Sequence, residues 1–188
     1  MVRIAIAGIV GGIVMFIWGA VGHMFLGVGE YGVKSMPNED AVVACMKSNI
    51  PDAGLYFAPG MDMSKRPTDE EYAAWSARYE AGPNVFLVYG PTGMTPMSPR
   101  QLGIELLSNI LAALVGAFML SFVQPSFFSR VVVATGIGIA AWLSINVSYY
   151  DWYRFPANFV ASELVEQAVG WALSGAAMAM IVRGKALS

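Results

Sequence analysis

Long apolar windows dominate the pattern of hydrophobic and polar positions along this chain. Four of them can be delimited by the polar or turn-forming residues at their ends: 4–26, 102–123, 131–149 and 157–182. About 20 apolar residues at 1.5 Å per residue cross the roughly 30 Å hydrocarbon core of a bilayer. Because lipid offers the backbone no hydrogen-bond partners, the pattern predicts four transmembrane helices.

A polar stretch, residues 28–100, separates the first window from the second and is too long for a simple connection. Within it, "GLYFAPG" and "NVFLVYG" have the composition and the flanking turn residues of short strands. Thr68 and Glu71 form a T-x-x-E capping box, which indicates the start of a helix. Three aromatic residues then recur at spacings of three and four and predict a packing face: Tyr72, Trp75 and Tyr79.

These elements predict an all-α membrane protein with four transmembrane helices and a small extracytoplasmic α+β cap between helices 1 and 2. Residues 1–27 are expected to form the first transmembrane helix, residues 28–100 the cap, and residues 101–188 the other three helices. The first window is longer than the apolar core of about 7 to 15 residues in a cleaved signal sequence. It is therefore expected to stay in the protein as a helix.

Composition supports the membrane interpretation and narrows the chemistry. Of 188 residues, 56% are hydrophobic and 13% are charged, against about 25% charged in soluble domains. The net charge of −2, with no basic stripe, argues against a nucleic-acid partner. Cys45 is the one cysteine and His23 the one histidine. The chain therefore cannot form an internal disulfide, a cysteine-rich metal site or a bis-histidine haem site.

The positive charges in the short connections predict an orientation. Arg3, Arg130, Arg183 and Lys185 fall on one side of a four-span arrangement, whereas Arg154 falls on the other. Lysine and arginine accumulate in cytoplasmic loops. Both termini are therefore predicted to be cytoplasmic and residues 28–100 to lie outside, as in a bacterial inner-membrane protein with a periplasmic domain.

The stretch "YYDWYRFPANF" at 149–159 concentrates aromatic residues between the last two windows. Tyrosine and tryptophan favour the headgroup level, where the ring and the polar tip are both accommodated. The stretch is predicted to be a turn that anchors the protein at the membrane surface, with direct ligand contact as the alternative. Six residues make up this predicted anchor: Tyr149, Tyr150, Trp152, Tyr153, Arg154 and Phe155.

Polar residues inside the apolar windows are the strongest candidates for function, since buried polar groups are costly in a bilayer. Both "ELLSNILAALVG" and "ELVEQAVGWALS" carry polar side chains at offsets of zero, three and four, which share one helix face. With both termini inside, seven polar residues are expected to converge near the outer leaflet beneath the cap: His23, Glu105, Asn109, Asn146, Glu163, Glu166 and Gln167.

This cluster has several interpretations. It could be a hydrogen-bond network that holds the helices together, or a site for a lipid headgroup, a quinone or another amphiphile. Its carboxylates and histidine are also of the types that bind metal ions, although no helix has the Glu-x-x-His spacing. A further interpretation is proton-linked catalysis or transport, which would use the same groups.

The sequence contains no catalytic signature. The first prediction of function is therefore a non-enzymatic accessory or scaffold subunit of a membrane complex, with the cap and the aromatic turn contacting a partner. Its expected partners are membrane lipids and other membrane subunits or a second copy of the chain. The alternative is an amphiphile- or metal-binding membrane protein, which could be an enzyme, working at the polar cluster. No cofactor can be named.

Small residues at a spacing of four predict close helix contacts. Gly8 and Gly12 form a G-x-x-x-G pair in the first window, and Gly136 with Ala140 repeats the spacing in the third. Such pairs let two helix backbones approach closely in membranes. They could serve the bundle itself or a neighbouring subunit.

Overall fold

The structure is a computed structural model that describes residues 1–62, 64–123 and 126–182. It divides into two compact units. The helical unit comprises Met1–Val33 and Pro96–Ser188, and the inserted unit comprises Lys34–Thr95. The elements follow one another in this order: α1 Val2–Val21, a π-helix Gly22–Leu26, a 3-10 turn Val28–Glu30, α2 Glu39–Asn49, β1 Gly54–Ala58, α3 Asp69–Ala81, β2 Val85–Tyr89, α4 Pro99–Leu120, α5 Phe127–Tyr153 and α6 Ala157–Ile181.

Helices α1, α4, α5 and α6 of the helical unit are each long and apolar enough to cross a membrane, and the π-helix extends the first of them to Leu26. This agrees with the four predicted windows and indicates a membrane protein. Their apolar side chains are largely exposed in the isolated chain, as expected for surfaces that lie against lipid. The start of α4 is fixed by a capping box, in which Ser98 and Gln101 each bond the other's backbone N–H.

The predicted ends of the third window are wrong, since α5 is longer at both of them. At its start, the Ser126 hydroxyl accepts a hydrogen bond from the Ser129 N–H. At its end, Arg154 adopts a left-handed conformation with φ of 57°. The N–H groups of Arg154 and Phe155 both donate to the Tyr149 oxygen, which closes the last turn of the helix. Only three residues, 154–156, remain between α5 and α6.

Helix α1 packs against α4 and α6, while α5 packs mainly against α6. Gly8 and Gly12 face α4: a Cβ atom at Gly8 would lie 2.5 Å from Leu114 Cδ2, and one at Gly12 would overlap the backbone of Ile110. This G-x-x-x-G pair therefore serves the bundle itself. By contrast, a Cβ at Gly136 would meet no heavy atom within 4 Å.

A buried arginine joins the start of α5 to the end of α6. Arg130 is only 3% exposed, and its Nη1 donates to the backbone oxygens of Ala179 and Val182. Carbonyl groups at a helix C-terminus lack helical partners and carry partial negative charge, so a guanidinium is well suited to them. Arg130 thus has a packing role in addition to its contribution to the charge bias.

The inserted unit contains a two-stranded sheet and two short helices. Strands β1 and β2 are antiparallel, with Leu55 opposite Val88 and Phe57 opposite Phe86. The predicted capping box is present at the start of α3. The predicted packing face is present in part: the ring of Tyr79 lies 5.1 Å from that of Trp75 and 6.2 Å from that of Phe57, whereas Tyr72 is 55% exposed.

Candidate functional site

A cavity of about 700 Å³ lies within the helical unit, between α1 with its π-helix, α4 and α6. Its walls combine apolar and aromatic side chains with a small number of polar ones. Six of the seven residues of the predicted polar cluster line it: His23, Glu105, Asn109, Glu163, Glu166 and Gln167. Three helices thus bring these side chains to one place.

Asn146 departs from the predicted cluster, because it is not among the residues that line the cavity. Helix α5 contributes only Ala141 to the lining. One turn before Asn146, the indole N–H of Trp142 donates to the backbone oxygen of Val160 across 2.8 Å. Positions 142 and 146 share a helix face, so this side of α5 is used for packing on α6.

Glu105 is engaged by its own helix. Its Oε1 accepts a hydrogen bond of 3.1 Å from Asn109 Nδ2, and its backbone oxygen accepts one of 2.9 Å from the Ser108 hydroxyl. The spacings of three and four residues place these groups on one face of α4. The Asn109 amide therefore orients the Glu105 carboxylate from within α4.

Glu166 is held where α6 meets α1. A Cβ atom at Gly22 would lie 2.8 Å from Glu166 Oε2, so the absence of a side chain there makes room for the carboxylate. Trp18 Nε1 donates to the backbone oxygen of Glu166 across 3.1 Å. Within the described residues, Oε2 is buried and has no hydrogen-bond partner, which is an expensive state for a carboxylate oxygen.

The π-helix places His23 on the wall. A π-helix is rare, and single π-turns inside α-helices are found frequently at functional sites. Here it begins at Gly22, beside Glu166, and carries His23 into the cavity lining. The imidazole also covers Gly29, where a Cβ atom would overlap it.

Trp171 is the lining residue of α6 that lies nearest to the C-terminal end of this helix. The sequence did not predict it as a site residue. A Cβ atom at Gly116 of α4 would lie 2.8 Å from Trp171 Cζ3, and one at Gly138 of α5 would overlap the indole. Trp18 was missed as well. A signal was available: each tryptophan lies inside an apolar window, and a buried indole N–H needs a partner.

The aromatic stretch forms the end of α5 and the turn into α6. The rings of Tyr149 and Phe155 stack with centroids 5.2 Å apart, and the ring of Phe155 lies 5.7 Å from that of Phe159. Trp152 and Tyr150 are exposed. None of the six predicted anchor residues lines the cavity. Their role at the membrane surface stays a prediction.

The described part of the chain contains no group of three or more His, Cys, Asp or Glu side chains placed to hold a metal ion. The metal-binding alternative therefore has no ligand set in residues 1–62, 64–123 and 126–182. The carboxylates share a cavity, but their arrangement does not converge on a single coordination centre.

No protein-family model, curated protein or solved structure matches this chain.

Proposed function

We propose that this chain is a membrane protein that binds a small amphiphile in the cavity between α1, α4 and α6. The observation that supports this most directly is the cavity itself, about 700 Å³ with polar groups on three helices. Small-ligand sites are typically 300–1,000 Å³, mostly apolar, with a few polar groups that orient the ligand.

A purely structural role for the polar cluster is less well supported. A polar network that holds helices together would need hydrogen bonds between side chains of different helices. In the described residues, the one side-chain pair bonded within the cluster is Asn109 with Glu105, and both belong to α4. The bond between helices at this site is that of Trp18, and it reaches a backbone oxygen. The carboxylates of Glu163 and Glu166 are thus left available to a ligand.

The experiment that tests this proposal is native mass spectrometry of the full chain, extracted from its own membranes in a mild detergent. We expect a bound species with the mass of an amphiphile that persists when loosely attached lipid is removed. A chain that carries no such species, and that also fails to take up added amphiphiles, would contradict the proposal.

Two adjacent alanines of α5 supply matched variants. Ala141 lines the cavity, whereas Ala140 is exposed and does not. Ala141→Trp should reduce the bound fraction because the new indole occupies part of the cavity. Ala140→Trp introduces the same side chain outside and should leave binding unchanged. Equal effects of the two variants would show that the bound species lies elsewhere.

A second candidate function is that of an accessory subunit of a membrane complex. It is favoured by the two-stranded sheet, where Leu55 and Val88 are paired across the strands and are 65% and 77% exposed. Exposed apolar groups that lie together often mark contact sites. The same native mass spectra test this candidate, since another protein subunit would accompany the chain through extraction.

A further inference from the structure

We infer that the amphiphile bound by this cavity carries an organic cation with N–H donors, such as a primary ammonium head, on an apolar tail. This inference rests on the proposed function and specifies the ligand class. It follows from the charge of the cavity, from the state of its hydrogen-bonding groups and from its walls.

The charge of the cavity is the first argument. Three carboxylates line it, those of Glu105, Glu163 and Glu166, and His23 is the one side chain of the described lining that can carry positive charge. No lysine or arginine of the described residues belongs to the lining. An anionic head such as a phosphate or a carboxylate would meet repulsion here, whereas a cation would be attracted.

The balance of donors and acceptors is the second argument. The Trp18 N–H is used by the Glu166 backbone oxygen, and Asn109 and Ser108 both donate to Glu105. By contrast, Glu166 Oε2 has no donor among the described residues. A ligand that brings its own donors can bond the Glu166 carboxylate, while the Gln167 amide and the His23 imidazole of the lining can bond other groups of the same ligand.

The position of Glu166 makes it the principal counter-charge. Its carboxylate lies against Gly22 and close to Gly19, with a Cβ atom at Gly19 placed 3.6 Å from Oε1. Neither glycine offers a side-chain donor to the carboxylate, and the Trp18 N–H nearby is used by the backbone oxygen of Glu166. An ammonium in the cavity would supply the missing partner, and bonds between charged groups are the stronger ones.

The walls suit the remainder of such a ligand. The rings of Trp18, Phe16 and Trp171 contribute to the lining, together with Met15 and Met24. Tryptophan is the best of the aromatic residues at attracting a cation to its face. The methionine side chains adapt to an alkyl tail of variable shape. The cavity thus combines a polar part for the head with an apolar part for the tail.

The inference is tested with three probes that share a ten-carbon tail: decylamine, decanol and decanoate. Their binding is measured by tryptophan fluorescence of the full-length protein in nanodiscs of zwitterionic lipid, with protein-free nanodiscs as the blank. We expect decylamine to bind at least about tenfold more tightly than the other two, which corresponds to roughly 1.4 kcal/mol.

Variants assign the effect to the cavity. Glu166→Gln should weaken decylamine binding by about tenfold or more while decanol is unaffected. The Trp18 bond should persist, because its acceptor is a backbone oxygen. Asp151→Asn removes a carboxylate that does not line the cavity and should have no effect. Circular dichroism and the elution profile establish that each variant is folded.

The outcomes separate this inference from the proposed function. Equal binding of the three probes, or a preference for decanol or decanoate, would overturn the cationic head and leave amphiphile binding in place. Failure of all three to bind would contradict both. Tight decylamine binding that Glu166→Gln leaves unchanged, with Glu163→Gln also without effect, would overturn the role assigned to the carboxylates.

Discussion

Trp18 of α1 and Glu166 of α6 meet directly: the indole N–H of Trp18 donates to the backbone oxygen of Glu166 across 3.1 Å. A second tryptophan makes the equivalent bond from the other side, since Trp142 of α5 donates to the oxygen of Val160 across 2.8 Å. Helix α6 is thus tied to α1 and α5 through its own carbonyl groups. The first bond fixes the turn of α6 that carries the Glu166 carboxylate.

These two bonds lead to a paired prediction. Trp18→Phe and Trp142→Phe each keep an aromatic ring and remove one N–H donor, so each should lower the free energy of unfolding by about 0.5–1.5 kcal/mol. Only Trp18→Phe should also reduce the amphiphile-bound fraction, because it releases the turn that carries Glu166. Thermal unfolding in detergent and native mass spectrometry measure the two effects. A comparable loss of bound amphiphile in both variants would argue against a special role for the Trp18 bond.

Close contact between α1 and α4 leads to a prediction with a matched glycine. At Gly12, an added Cβ would overlap the backbone of Ile110, whereas at Gly136 it would meet nothing within 4 Å. Gly12→Ala should destabilise the protein by about 1–3 kcal/mol through overpacking. Gly136→Ala should stabilise it by roughly 0.5–1 kcal/mol, since alanine is the better helix former. Denaturation curves of the two variants test this, and the same sign of change in both would be inconsistent with the helix contact described.

The end of α5 supplies a third prediction. Arg154 holds a φ of 57°, which costs a residue with a side chain about 1 kcal/mol and costs glycine very little. Arg154→Gly should therefore raise the free energy of unfolding by a few tenths to about 1 kcal/mol. Arg154→Ala removes the same charge without relieving the backbone and should bring no gain. If alanine stabilises as much as glycine does, the charge rather than the conformation is responsible.

The proposed orientation can be tested through the one cysteine of the chain, Cys45, which lies exposed on α2 of the inserted unit. With the inserted unit outside, a membrane-impermeant maleimide should label Cys45 in right-side-out vesicles without permeabilisation. Cys45→Ser should remain unlabelled and identifies the modified site. Labelling that occurs only in inside-out vesicles would reverse the predicted orientation.

The sequence by itself was sufficient for the number and approximate extent of the long apolar helices and for part of the site. Length and apolarity determine a spanning helix because the bilayer requires both. The capping box of Thr68 and Glu71 is equally local, since it lies within one turn. The offsets of zero, three and four put Glu163, Glu166 and Gln167 on one face of α6 for the same reason: helix geometry alone dictates it.

Only the tertiary structure decided which of those faces meet. Asn146 is polar like its predicted partners, yet its side of α5 packs on α6. Trp18 and Trp171 resembled other apolar residues, and their place in the cavity wall depends on Gly170, Gly116 and Gly138 in neighbouring elements. Local periodicity assigns a side chain to a face of its own helix. The partner of that face is set by packing between residues far apart in the chain, which one helix's periodicity does not encode.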